Sequence, residues 1–172
     1  MGERFKKAIG VEGKFSETVW PMIQYCFANI FMGGGGYIIS MYLTIYLTDV
    51  VGISLRQATF ITMLATIWDG VNDPLMGIIT DRTRSKHGRH RRYLLWSIPF
   101  IVISYTMIWN SYGLDGNANP TLCVCYYAFA YILYKTGYTM VDVPHTAMLP
   151  TLAPEYNKRT QYTSVSYIFN SV

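Results

Sequence analysis

Apolar residues in this chain fall in four long runs, each bounded by short polar stretches. The first extends from about Pro21 to Leu47, with no charged residue between Glu17 and Asp49. The second covers about Leu55 to Thr80, the third about Tyr93 to Tyr112, and the fourth about Thr121 to Leu149. A helix of about 20 residues crosses the ~30 Å hydrocarbon core of a bilayer, so each run predicts a transmembrane helix. The breaks differ in chemistry. Residues 81–92 are hydrophilic and basic, whereas 113–120 form a turn rich in Gly, Asn and Pro. A short polar stretch then leads to a fifth apolar run near Gln161. From Thr160 to Val172 there is only about 20 Å of helix, less than a crossing requires. The expectation is an all-α polytopic membrane protein. Residues 1–20 would be a polar amino terminus, and residues 21–172 would hold helices one to five, the fifth truncated. The carboxy-terminal half would be absent, which makes the chain the amino-terminal part of a longer protein.

Composition supports this class. Hydrophobic residues make up 51% of the chain and charged residues only 14%, against the usual quarter. Mean hydropathy is +0.19. The net charge of +4 does not imply a nucleic-acid partner, because the cations cluster between apolar runs. Arg4, Lys6, Lys7 and Lys14 precede the first run; Arg82, Arg84, Lys86, Arg89, Arg91 and Arg92 follow the second; Lys158 and Arg159 follow the fourth. The opposite side carries only Arg56. Positive charge stays inside, so the amino terminus is expected in the cytoplasm and the chain in the inner (plasma) membrane. The first run is too long for a cleavable signal peptide and lacks a small-residue cleavage site. Cys26, Cys123 and Cys125 all lie in apolar stretches and read as small packed hydrophobes, without a disulfide framework.

The chemistry concentrates in the second run, at Trp68-Asp69-Gly-Val-Asn72-Asp73-Pro74. A carboxylate at bilayer depth costs about 2.5–3.5 kcal/mol on insertion scales, so it is kept mainly where it acts. Asp69 and Asp73, at i and i+4, share one helix face with Cβ atoms roughly 5–6 Å apart. Like charges that close resist ionising together, and a bound cation or a proton relieves them. The pair therefore reads as a cation or proton site. Nothing in the chain suggests an enzyme: there is no nucleophile–base pair, phosphate loop or metal cluster.

Other features have two readings each. The segment Gly77-Ile-Ile-Thr-Asp81-Arg82-Thr-Arg84-Ser-Lys86-His-Gly88-Arg89-His-Arg91-Arg92 is either a gating turn or a basic loop on anionic lipid. Gly33-Gly34-Gly35-Gly36 permits close helix packing or a local break. Pro74, Pro144 and Pro150 would kink or end helices. His145 is either a packed polar residue or cavity-facing.

Together these residues resemble the glycoside–pentoside–hexuronide:cation symporter family of the major facilitator superfamily. Gly77 to Arg92 is similar to the superfamily's cytoplasmic loop, and Trp68-Asp69 with Asn72-Asp73-Pro74 carries the family pattern. Tyr46-Leu-Thr-Asp49-Val-Val-Gly52 and Asp142-Val-Pro144, with Leu149-Pro150 and Arg159, extend it from about residue 20 to the end. The resemblance implies the amino-terminal helical bundle of a major facilitator transporter. It implies cation binding by Asp69, Asn72, Asp73 and Thr139, with Asp69 and Asp73 as ligands of Na⁺ if sodium is the coupling ion. Asp142 would hydrogen-bond sugar hydroxyls, and Gly77, Asp81, Arg82, Gly88 and Arg89 would form the gating loop. Thr139 and Asp142 stand at i, i+3, so they share a face. Oxygen ligands alone suit a hard cation such as Na⁺ or Li⁺, and a carboxylate pair also suits H⁺.

The departures concern the substrate. Gly33 stands where the family's galactoside transporters carry a second sugar-binding Asp. Thr146 replaces a stacking aromatic, and Tyr167 replaces an Arg. Retained cation coupling with a different substrate follows. Lys135 adds a further element, two turns before Asp142 and about 10 Å away along the axis, too far for a direct pair. Asp69 or Asp73 could pair with it, in which case Lys135 tunes or partly replaces the coupling cation, or binds an anionic substrate. The other reading is a lysine snorkelling toward an interface.

The expected function is cation-coupled symport of a glycoside, pentoside, hexuronide or related sugar by alternating access. The expected partners are that small molecule, a coupling cation (Na⁺ or H⁺, or Li⁺), the bilayer and the missing half; no other cofactor is implied. Two alternatives stand beside it: a symporter of a non-sugar amphiphile, and a membrane sensor of the same fold that does not transport.

Overall fold

The computed structural model describes residues 15–83 and 91–170, and they form five long helices with no strand among them. Helix α1 covers Phe15–Ile45 and passes into a π-helical turn at Tyr46–Val50. Helices α2, α3, α4 and α5 cover Leu55–Arg82, Arg91–Trp109, Pro120–Leu152 and Tyr156–Asn170. Gly88 and Arg89, with Arg84, Lys86, His87 and His90, lie outside the described residues, as do Arg4, Lys6, Lys7 and Lys14.

Local chemistry sets the ends. Ser54 caps α2: its hydroxyl accepts from Gln57 N, and Gln57 Oε1 accepts from Ser54 N at 3.0 Å. This reciprocal box, written Ser54-Leu-Arg-Gln57, satisfies two donors that the first turn leaves open. In the π turn, Thr48 Oγ1 donates to Thr44 O or Ile45 O, at 3.1 and 3.2 Å. Gly52 then takes φ +80°, a left-handed turn that glycine adopts without strain. Helix α5 starts at Tyr156, five residues before the apolar run. Its first turn is polar, held by Arg159 N to Glu155 O at 3.0 Å and by Lys158 on Glu155 at 3.2 Å.

Two open readings narrow. The prolines do not end helices: α2 continues through Pro74, and α4 continues through Pro144 and Pro150. Each proline removes one intrahelical bond, a loss that flanking turns and neighbouring groups can absorb within a bundle. The glycine tract does not break α1, which is helical on both sides of it.

The chain packs as two units, Ser40–Ala147 forming one and the segments through Ile39 and from Met148 the other. In the terminal unit Met22, Tyr25 and Cys26 pack with Ala153, Tyr162 and Val165. The Tyr25 and Tyr162 rings meet edge-on at 5.8 Å, and Cys26 Sγ lies 3.3 Å from Ser166 Oγ. Cys26 is thus a packed thiol, and all three cysteines are free.

The central unit holds α2, α3 and most of α4. Small residues let its helices approach. A Cβ on Gly137 of α4 would stand 3.0 Å from Ile101 Cγ1 and 3.3 Å from Ile101 N of α3. The buried Thr80 and Ser104 hydroxyls are satisfied within their own helices, Ser104 Oγ donating to Phe100 O at 2.6 Å. Many large apolar side chains face outward, including Met41 at 63%, Leu95 at 68% and Val102 at 58% exposure. Such a surface is costly in water and natural in lipid or against further helices. By length and composition alone, one described helix, Met22–Val50, is apolar enough to cross a membrane. Helices α2 and α4 have the length, with 28 and 33 residues, but their polar side chains dilute their hydropathy.

The 110–119 connection is anchored by Gly116, whose N donates to Val51 O at 2.8 Å. A Cβ at Gly116 would come within 2.7 Å of that same carbonyl and 2.8 Å of Gly52 C. Gly116→Ala is therefore expected to destabilise the protein by about 1–3 kcal/mol, the range for forced overpacking. Gly34→Ala, where nothing lies within 4 Å, should not lower the melting temperature. Thermal unfolding of the two variants in detergent checks the contrast.

Candidate functional site

Two facing helix segments build the site, Trp68 to Asp73 on α2 and Tyr131 to Asp142 on α4. Lys135 Nζ donates to Asp69 Oδ2 at 2.8 Å, and both side chains are about a quarter exposed, at 23% and 27%. Thr139 is 1% exposed, and its hydroxyl lies 2.9 Å from Asp73 Oδ1 and 3.5 Å from Asp69 Oδ1. One hydroxyl proton thus sits between two carboxylates, favouring the Asp73 side. Trp68 Nε1 donates to Thr136 Oγ1 at 2.9 Å, and Thr136 donates on to Ile132 O at 2.9 Å.

Asn72 is 6% exposed, and its Nδ2 has no hydrogen-bond partner among the described residues. A buried amide left open in this way costs about 1–3 kcal/mol. Asp142 is half-buried and within electrostatic reach of Asp73, His145 and Asp69. Three carboxylates against one ammonium leave the site short of positive charge. Like-charged carboxylates this near one another resist ionising together, and a further cation or a proton would relieve that repulsion. Among the described residues no group of three or more His, Cys, Asp or Glu is placed to hold a metal ion. Two carboxylates with neutral oxygens suit an alkali cation or a proton better than a transition metal.

The structure brings together Asp69, Asp73, Thr139 and Lys135, with Asn72 on the same stretch of α2. Of the two partners open to Lys135, it selects Asp69, and the side chain does not snorkel away. Thr146 is exposed, one turn beyond Asp142 on α4, and His145 is 5% exposed, a packed residue. Gly33 and Tyr167 belong to the other unit, Gly33 buried in α1 and Tyr167 68% exposed on α5. Gly77, Asp81 and Arg82 occupy the last two turns of α2, and Asp81 and Arg82 are exposed.

Sequence reasoning missed an aromatic row beside the site. Tyr131 and Tyr134 stack at 6.3 Å with planes 16° apart, and Tyr134 meets Tyr138 at 6.1 Å. Lys135 Nζ lies 6.0 Å from the Tyr131 ring centre, at the edge of cation–π range. The spacing of Tyr131, Tyr134 and Tyr138 at i, i+3 and i+7 marks one helical face and was available in the sequence.

Two carboxylates on one helix, faced by a lysine and a threonine on another, make a compact charged cluster within long, largely apolar helices. The chain belongs to the family described as MFS/sugar transport protein, which matches residues 25–172. It is 34% identical over 135 residues to an uncharacterized symporter of Synechocystis sp., covering 77% of this chain and 25% of that protein. It is 36% identical over 123 residues to the putative glycoside/cation symporter YagG of Escherichia coli, covering 70% of this chain and 25% of YagG. It is also 30% identical over 157 residues to the sodium-dependent lysophosphatidylcholine symporter 1 of Xenopus tropicalis, covering 88% of this chain and 28% of that protein. The chain spans about a quarter of the length of these curated relatives.

The Lys135–Asp69 pair should be visible as energetic coupling. Lys135→Met leaves carboxylates unpaired and is expected to destabilise by about 1–3 kcal/mol, less than a fully buried pair would cost. Adding Asp69→Asn should recover at least half of that loss. Melting temperatures of the two single variants and the double variant close the cycle.

Proposed function

We propose that this chain is the amino-terminal part of a cation-coupled secondary symporter that moves a small molecule by alternating access. The observation that carries this reading is the Thr139 hydroxyl joining Asp69 and Asp73 across two helices, with the buried Asn72, whose amide oxygen is a possible cation ligand, on the same stretch. A cation there removes carboxylate repulsion and orders Asp142, three residues along α4. Na⁺ is the favoured coupling ion: the ligands are hard oxygens, and several relatives are named as sodium-dependent. Asp69 and Asp73 would supply the negative charge of the site, and Asn72 and Thr139 its neutral ligands. Coupling then requires that the empty and doubly loaded carriers move more readily than the half-loaded one. The Asp81–Arg82 end of α2, with Gly77, Gly88 and Arg89, would latch one state. The amino terminus would be cytoplasmic, in the plasma or inner membrane, as the distribution of Lys and Arg favours.

The cargo is proposed to be a glycoside, pentoside, hexuronide or related sugar, bound by Asp142 with the tyrosine row of α4 beside it. Gly33, Thr146 and Tyr167 would adapt the cavity to something other than a galactoside. A second reading is an amphiphilic, non-sugar cargo. It is favoured by those three substitutions and by the likeness to relatives named as lysophosphatidylcholine symporters.

The test is uptake of a radiolabelled glycoside and glucuronide panel by the full-length transporter, with and without a Na⁺ gradient. One panel member should accumulate with the gradient, and Asp73→Cys should abolish that accumulation. If well-folded protein takes up lysophosphatidylcholine and no sugar, the second reading replaces the first.

A further inference from the structure

Among the described residues, Lys135 is the one Lys or Arg away from a helix end, at the middle of the 33-residue α4. Its ammonium is already committed. It lies 2.8 Å from Asp69 Oδ2 and over the edge of Tyr131, while Asp73 has no cationic partner among the described residues. The two carboxylates are therefore unequal. Asp69 holds a tethered cation, and Asp73 holds only the Thr139 hydroxyl, at 2.9 Å. Asn72, next to Asp73 in the chain, is buried at 6% exposure, and of its amide atoms Oδ1 is the one that can ligate a cation, the unpartnered Nδ2 being a donor.

We propose that Lys135 is a resident counter-cation of the site, so that the transported ion binds on the Asp73 side, through Asp73, Thr139 and Asn72, with one carboxylate instead of two. This rests on the reading of Asp69 and Asp73 as a cation site. Three consequences follow. An alkali ion meets a half-neutralised site and binds more weakly than two free carboxylates would hold it. The two aspartates are not interchangeable, since Asp73 coordinates the ion and Asp69 positions the lysine. Removing Lys135 releases Asp69 as a second ligand and strengthens ion binding.

The experiment is equilibrium binding of ²²Na⁺ to the purified full-length transporter. Lys135→Met should bind Na⁺ roughly tenfold more tightly than wild type, because a nearby unit positive charge has been withdrawn. Lys135→Arg, which keeps the charge, should lack that gain. Asp69→Asn should abolish the gain in the Lys135→Met background, so that the double variant, which lacks both halves of the pair, binds Na⁺ about as wild type does, whereas Asp73→Asn should abolish Na⁺ binding in either background. The Na⁺-induced rise in melting temperature should follow the same order, which separates ligand effects from folding defects. Unchanged or weaker Na⁺ binding in folded Lys135→Met overturns the proposal, as does Na⁺ binding that survives Asp73→Asn. If wild type binds Na⁺ through Asp73 and only the lysine effect is missing, the cation-site reading survives and the counter-cation fails. If neither wild type nor Lys135→Met binds Na⁺, both fail.

Discussion

Two carboxylates one turn apart on α2 cannot neutralise each other, and nothing else on their own helix does so. The compensating groups come from α4: an ammonium that pairs with Asp69 and a hydroxyl that donates to Asp73 without cancelling its charge. This requirement dictates much of the central unit. α4 has to present Lys135 and Thr139 at a separation of four residues, matching Asp69 and Asp73 on the facing helix. It also has to run close to α3, which the absence of a side chain at Gly137 permits. The capped start of α2 at Ser54 and the Gly116 anchor belong to the same unit.

The fold class was legible because long apolar runs predict membrane helices regardless of tertiary detail. Their limits were less so. α5 begins at Tyr156 because its first turn is polar and invisible to an apolar pattern. The prolines were misleading as terminators, since propensities measured in water weigh less inside a bundle. The Ser54–Gln57 box stands directly before the second apolar run, a start signal that the apolar pattern alone does not use.

The site was legible in its local spacings and illegible across helices. Asp69 with Asp73, and Thr139 with Asp142, follow from helical periodicity. That Lys135 meets Asp69 rather than Asp73 depends on the axial offset of α2 against α4, which no sequence spacing encodes. The Trp68–Thr136 bond, between residues 68 positions apart, escaped for the same reason. Gly33 and Tyr167 entered only through a family resemblance. They lie in the terminal unit, and the local periodicities of the central unit have no bearing on them.

The hydroxyls of the central unit have a mechanical consequence. Ser97, Ser104 and Thr106 donate within their own helix, so apolar packing rather than cross-bonds governs much of how the helices fit together. Between α2 and α4, the side-chain hydrogen bonds of the described residues gather at one level: Trp68 to Thr136, Lys135 to Asp69, and Thr139 to Asp73 or Asp69. The rivet joining these two helices is thus made of the same atoms proposed to hold the ion. An ion that drew Asp73 or Thr139 into its coordination shell would alter the fastening as it bound, and the work of binding would be transmitted as shear between the two helices.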